Sequence, residues 1–237
     1  MKILALETSS QAASCAYMDD GRLVGEWYCN TGLTHSQTVM PMVESMLQST
    51  GCGIDEMDVF AVSTGPGSFT GLRIGLSAVK GMAMALDKPC AGVSTLYGLA
   101  WNVVPFSGII VPVLDARCKQ VYTALLRSDG RRLEYLRDDD ALALEDLKDI
   151  LVHMKGDKLL VGDGAALCME AFADVPGVQM APAHLRYQRA SSVCMAALEL
   201  MEEGRLVFAA EIAPAYLRLP QAERELRKKQ SEEKNGQ

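Results

Sequence analysis

The chain has 237 residues, 49% of them hydrophobic and 22% charged, and a formal net charge of −7. That length buries a sizeable core in one large domain or two small ones, and the composition is ordinary for a globular protein. An acidic balance without a long basic run argues against a protein that grips nucleic acid unaided, because phosphate neutralisation dominates such binding. In chain order, residues 2–6 read as a buried strand ending at the polar cluster Glu7-Thr8-Ser9-Ser10. A second strand over 12–18 and a third over 23–28 meet across the turn Asp19-Asp20-Gly21-Arg22. The stretch THSQTVMPMVESMLQSTG then predicts an amphipathic helix closed by Gly51, with a kink or a late start at Pro41. Residues 59–63 form a short buried strand that feeds STGPGSFTGLRIG, and 70–86 form a long helix stopped near Pro89.

The second half repeats this plan. Residues 109–114 read as a buried strand ending at Asp115, as the first strand ends at Glu7, and 121–127 as its neighbour before the turn Ser128-Asp129-Gly130-Arg131. LETSSQAASCAYMDDGR and LDARCKQVYTALLRSDGR align with a single insertion, and 159–161 feed Gly162-Asp163-Gly164 as 59–63 feed Gly65-Pro66-Gly67. The repeat predicts two related α/β halves, each a three-stranded meander followed by helix, strand and helix. A further helix is predicted over 190–203, with Gly204 as its stop. Residues 221–237 hold nine charged side chains and one large apolar residue, Leu226, and are expected to be frayed or disordered.

Seven cysteines, at 15, 29, 52, 90, 118, 168 and 194, make no C-x-x-C pair. That pattern argues against a disulfide framework or a zinc knuckle and for small buried residues in a reducing compartment. MKILALETSS lacks the apolar core of a signal peptide, and no apolar run approaches the ~18 residues that span a membrane. The expected location is cytoplasmic.

STGPGSFTGLRIG runs from strand through glycines into helix, the usual setting of a phosphate loop. A Walker loop needs G-x-x-x-x-G-K-[ST], yet Leu72-Arg73 follow Gly71, so the lysine and the metal-binding hydroxyl are missing. The G-x-G-x-x-G fingerprint fails as well, because Thr70 takes the third glycine position. Two uses stay open: a tight turn, or an anion held by backbone N–H groups at the helix start. Along the helix, Leu72, Leu76, Val79, Ala83 and Leu86 make the natural core stripe. Beside it Gly71, Gly75, Ala78, Met82 and Ala85 make a stripe of mostly small residues that admits a close helix, either the chain's own or a partner's. In the preceding helix, Val39, Met40, Met42, Val43, Met46 and Leu47 cover an arc of about 160°, wider than the ~100° of a core stripe. Three methionines there suit a deformable binding surface, and core packing on two sides produces the same pattern.

His35 has Val39, not a second histidine, one turn later, and His153 and His184 have no i+4 partner, so no metal site is predicted. No G-x-S-x-G elbow is present. Glu7 and Asp115 end equivalent strands; they either hold Mg²⁺ through water across a cleft or simply cap strand-end turns.

MKILALETSS, STGPGSFTGLRIG, VLDARCKQVY, VGDG and PAYLR together resemble the bacterial TsaB (YeaZ) family of tRNA threonylcarbamoyladenosine biosynthesis proteins, from Met1 to about Leu219. The resemblance implies an α/β fold of two similar actin-like subdomains with mixed sheets, of the ATPase/sugar-kinase/Hsp70 and ribonuclease H-like kind. The first unit is expected over 1–103 plus 206–220, the second over 104–205 and a charged tail over 221–237. It also implies a part in placing threonylcarbamoyl on N6 of adenosine 37 in tRNAs that read codons beginning with A. The catalytic paralogue, TsaD, holds a metal through an H-x-x-x-H helix. The matching run here is His35-Ser36-Gln37-Thr38-Val39, so this chain is expected to be a scaffold without catalytic residues, cofactor or metal.

The implied partner face comprises His35, Met40, Val43, Met46, Leu47, Gly71, Ile74, Gly75, Ala78 and Met82, in a four-helix bundle with TsaD. A TsaE-like ATPase subunit joins the assembly, tRNA is met only through the complex, and the chain alone is expected to close a homodimer. The alternatives are an active Mg-ATP phosphotransferase of the same fold and, behind it, a metallopeptidase.

Overall fold

The computed structural model describes residues 1–217; the tail expected over 221–237 and the last residues of the first unit lie outside them. Among the described residues ten strands and six α-helices follow one another as β1 (Lys2–Glu7), β2 (Ala13–Asp19), β3 (Arg22–Cys29), α1 (His35–Thr50), β4 (Val59–Gly65), α2 (Phe69–Leu86), β5 (Cys90–Ser94), α3 (Thr95–Trp101), β6 (Ser107–Asp115), β7 (Gln120–Asp129), β8 (Leu133–Ala143), α4 (Leu144–His153), β9 (Lys158–Val161), α5 (Ala165–Ala171), β10 (Val178–Met180) and α6 (Ala190–Glu202). The strands form two five-stranded mixed sheets, β3-β2-β1-β4-β5 and β10-β9-β6-β7-β8. In each sheet the first three strands in sequence pair antiparallel and the later two add on parallel. The predicted internal repeat is therefore present, strand for strand.

Each central strand is buried on both faces, which explains the near-continuous apolar runs of β1 and β4. Side chains alternate across the sheet. Leu4, Leu6, Phe60 and Val62 meet Val39, Val43 and Met46 of α1 and Leu76 and Val79 of α2. Ile3, Ala5 and Ala61 on the opposite face meet Ala190, Val193, Ala196 and Ala197 of α6. In the second sheet Val111, Val113 and Leu160 lie under α4 and α5, through Leu147, Leu151 and Cys168. Ile110, Leu126 and Val161 face Leu96, Leu99 and Ala100 of α3.

The two halves thus exchange a helix. α3 follows the first sheet in sequence but covers the second, while α6 follows the second and covers the first, and the pair pack on each other between the sheets. The layers run α1 and α2, first sheet, α6 and α3, second sheet, α4 and α5. Chain returning from α6 pairs Val207 with Cys90 beside β5, and the Ala215 amide donates to the Thr64 carbonyl at 2.8 Å. The expected boundary at 205 assigns α6 to the second unit, whereas its buried face lies on the first sheet; we propose that 190–217 belong with the first unit.

α1 begins at His35 and continues through Pro41 to Thr50, so the late start expected at the proline is not found. Gly51 ends it with φ +66°, a left-handed conformation that suits glycine.

Candidate functional site

α1 and α2 lie side by side on the outer face of the first sheet, and together they carry three charged side chains, Glu44, Arg73 and Lys80. Their buried sides are fixed by the core. Val43 and Met46 are buried under the sheet and Met82 nearly so, which removes these three predicted face residues from the surface. The glycines are the clearest correction. A Cβ on Gly71 would stand 2.1 Å from the Thr8 carbonyl oxygen, and one on Gly75 would stand 2.3 Å from the Thr8 hydroxyl. That hydroxyl donates to the Gly71 carbonyl at 2.8 Å. At Gly71 and Gly75 the small stripe therefore admits the end of the chain's own β1, with His35 of α1 also beside Gly71.

Five predicted residues remain on or near the surface. Met40 is exposed, and His35, Leu47, Ile74 and Ala78 are half-buried. His35 Nε2 donates to the Ser10 carbonyl at 2.8 Å, tying the start of α1 to the turn after β1. Along α1, Met40, Pro41 and Leu47 line an apolar groove of about 710 Å³ together with Cys52 and Ile54. Met40 and Leu47 belong to the wide apolar arc of α1, whereas Cys52 and Ile54 lie beyond the helix and outside its periodicity.

The second feature is the cleft where the strands of both sheets end. β4 runs into Gly65-Pro66-Gly67, and the Ser68 hydroxyl caps α2 by accepting from the Gly71 amide at 3.2 Å. The Ser68 amide donates to the Ser9 carbonyl at 2.7 Å, and Gly67 lies so close to that residue that a Cβ would sit 2.4 Å from the same oxygen. The glycines of STGPGSFTG thus close the loop onto the strand end of β1. Glu7 and Asp115 hold the equivalent positions predicted for them, but in different settings. Glu7 is buried, accepts from the Ser9 amide at 2.6 Å and from the Ser63 hydroxyl, and burial raises its pKa. Asp115 is exposed and accepts from the Arg117 amide at 2.7 Å, while its own amide donates to Asp163 at 3.1 Å. Both acids cap strand-end turns, the plainer of the two readings above.

Across the cleft, Arg117, Cys118 and Lys119 all have φ between +53° and +61°, an unusual left-handed run for residues with a Cβ. Gln188, from the segment before α6, and Tyr216, stacked on Phe69 at 4.5 Å between ring centres, complete the lining. Tyr216 lies in the PAYLR segment, whereas no motif marks Gln188 in the sequence. Four of the seven cysteines, Cys15, Cys90, Cys168 and Cys194, are buried as small core residues, and burial pushes the Cys15 thiol up to about 12.

The family model for TsaD, tRNA N6-adenosine threonylcarbamoyltransferase, matches residues 30–226. The chain is 32% identical over 225 residues to the tRNA threonylcarbamoyladenosine biosynthesis protein TsaB of Bacillus subtilis (strain 168), covering 94% of this chain and 96% of that one. It is 29% identical over 228 residues to TsaB of Escherichia coli (strain K12), covering 92% and 95%. Among solved structures, YeaZ from Pseudomonas aeruginosa superposes with a TM-score of 0.77 at 26% identity, over 91% of this chain and 99% of that one. The ROK hexokinase of Thermus thermophilus is similar in fold alone, with a TM-score of 0.51 at 13% identity, over 84% and 100%. These likenesses fit the two-subdomain, actin-like α/β architecture.

Proposed function

The chain belongs to the TsaB (YeaZ) family of tRNA threonylcarbamoyladenosine biosynthesis proteins, and on that footing we propose that it is a non-catalytic subunit that holds a TsaD-like paralogue through α1 and α2. The observation that carries this reading is the helix pair itself. Three charges over two helices of 16 and 18 residues leave an outer face as poor in charge as the centre of a protein interface. The contact residues are then Met40, Leu47, Ile74 and Ala78, with His35 holding the start of α1 in place. The buried glycines and Val43 shape the face from beneath.

Further support is the position one turn after His35. It is filled by Val39, 2% exposed and packed in the core, where a catalytic paralogue would present a second histidine. The chain's own part is thus to present a surface. Alone, the same patch on two copies can pair about a two-fold axis, which accounts for the expected homodimer. A TsaE-like ATPase then joins the heterodimer, and tRNA is engaged by the assembly.

A reconstituted transfer assay tests this. The paralogue, the ATPase subunit and the threonylcarbamoyl donor are combined with tRNA, with and without this chain. Modification should depend on its addition, and the chain with donor and tRNA alone should give none. Modification by the chain alone would overturn the non-catalytic reading.

A further inference from the structure

The cleft at the strand ends holds features that the partner reading does not use. Its volume is about 580 Å³, in the range of ligand pockets. One wall is the loop after β4 and the first turn of α2. The Ser68 amide is taken by Ser9 and the Gly71 amide by the Ser68 hydroxyl. The amides of Phe69 and Thr70 have no acceptor within the helix, and they stand at the positive end of an 18-residue helix. Other lining residues carry charge of both signs, with Asp115 and Asp163 as carboxylates and Arg117 as the cation.

A further lining residue points to a ligand. Gln188 is 1% exposed, yet both polar atoms of its side-chain amide have no hydrogen-bond partner among the described residues, while the Ser9 hydroxyl, 2% exposed, has the Glu7 carboxylate beside it. A buried amide is seldom left without partners, and a bound molecule would satisfy it. We propose that the cleft binds a small zwitterion of the α-amino-acid class. Its carboxylate lies at the start of α2, its ammonium at Asp115 and Asp163, and a polar side chain reaches Ser9 and Gln188. A phosphate ester would suit the helix start but would bring its charge against two carboxylates. A simple cation would suit the carboxylates but not the helix start. The zwitterion answers both, and the inference is independent of the partner reading.

The test is an amide NMR titration of the full chain with L-threonine, whose hydroxyl supplies the third polar group. Saturable shifts at Ser9, Thr70 and Gln188 are expected, with 3-hydroxybutyrate, which lacks the ammonium, and inorganic phosphate binding at least tenfold more weakly. Asp115→Asn with Asp163→Asn keeps the oxygens that accept from the Arg117 and Asp115 amides, and should weaken L-threonine at least tenfold with the spectrum otherwise intact. Gln188→Met should weaken it similarly; because Gln188 is buried, the exposed aspartate pair keeps the test independent of folding. No saturable shift, phosphate binding more tightly than L-threonine, or unchanged affinity in the aspartate double variant would overturn the proposal.

Discussion

A methyl group at position 71 would press on a backbone carbonyl, and one at 75 on the side chain of the same residue, Thr8. The backbone contact cannot give way without moving β1 or α2. Gly71→Ala should therefore destabilise the fold by about 1–3 kcal/mol, the usual cost of overpacking, as read by urea unfolding; an unchanged midpoint would contradict the packing described. The glycine spacing was legible in the sequence, but periodicity reports that a face is small and not what fills the space. The strand-end acid Glu7 gives a second residue-level prediction. Burial raises its pKa above the ordinary value of 4.5, so the folded chain binds the proton more tightly than the unfolded one. This contribution is fully present below the unfolded pKa and is lost as pH rises through the raised folded value. Glu7→Gln can keep the bonds to the Ser9 amide and Ser63 while removing the titration. Its melting temperature should lack the part of the decline above pH 4.5 that the parent chain shows, and identical profiles for the two proteins would refute the assignment.

The elements divide into those that their own sequence marks and those that it does not. α1 is bounded by Gly51, and α2 by the serine that caps it and a run with a clear apolar stripe. Ser68→Ala should cost about 1 kcal/mol, measured by chemical denaturation, because the Gly71 amide loses its acceptor; no loss would mean that the cap is not needed. The paired meanders were equally legible, since β1 to β3 and β6 to β8 share turns and strand-end acids. α3 and α6 were not. Each shows a buried face of mainly alanine, leucine and valine, but such a face says nothing about which sheet covers it. Their crossing is settled by long-range packing, with α3 on the second sheet and α6 on the first. Gln188 escaped notice for the same reason, because a lone glutamine becomes informative only once folding buries it without a partner.

At the scale of the whole molecule, two sheets sandwich a shared pair of helices, and a nearly uncharged helix pair covers one outer face. The outer sides of α1 and α2 form the proposed partner face, and the strand-end cleft adjoins it at the first turn of α2. The partner face must be probed where it is exposed. Val43 is buried, and a charge there would test folding instead of binding; Met40 is 44% exposed, and Ala78 lies half-buried between the helices and solvent. The most direct measurement is size-exclusion chromatography with light scattering of the chain mixed with its TsaD-like paralogue, for the parent and for Met40→Glu with Ala78→Glu, alongside a thermal melt of each chain alone. The account predicts a heterodimer for the parent, and separate subunits for the variant with its melt retained. A heterodimer that persists in the variant would contradict it.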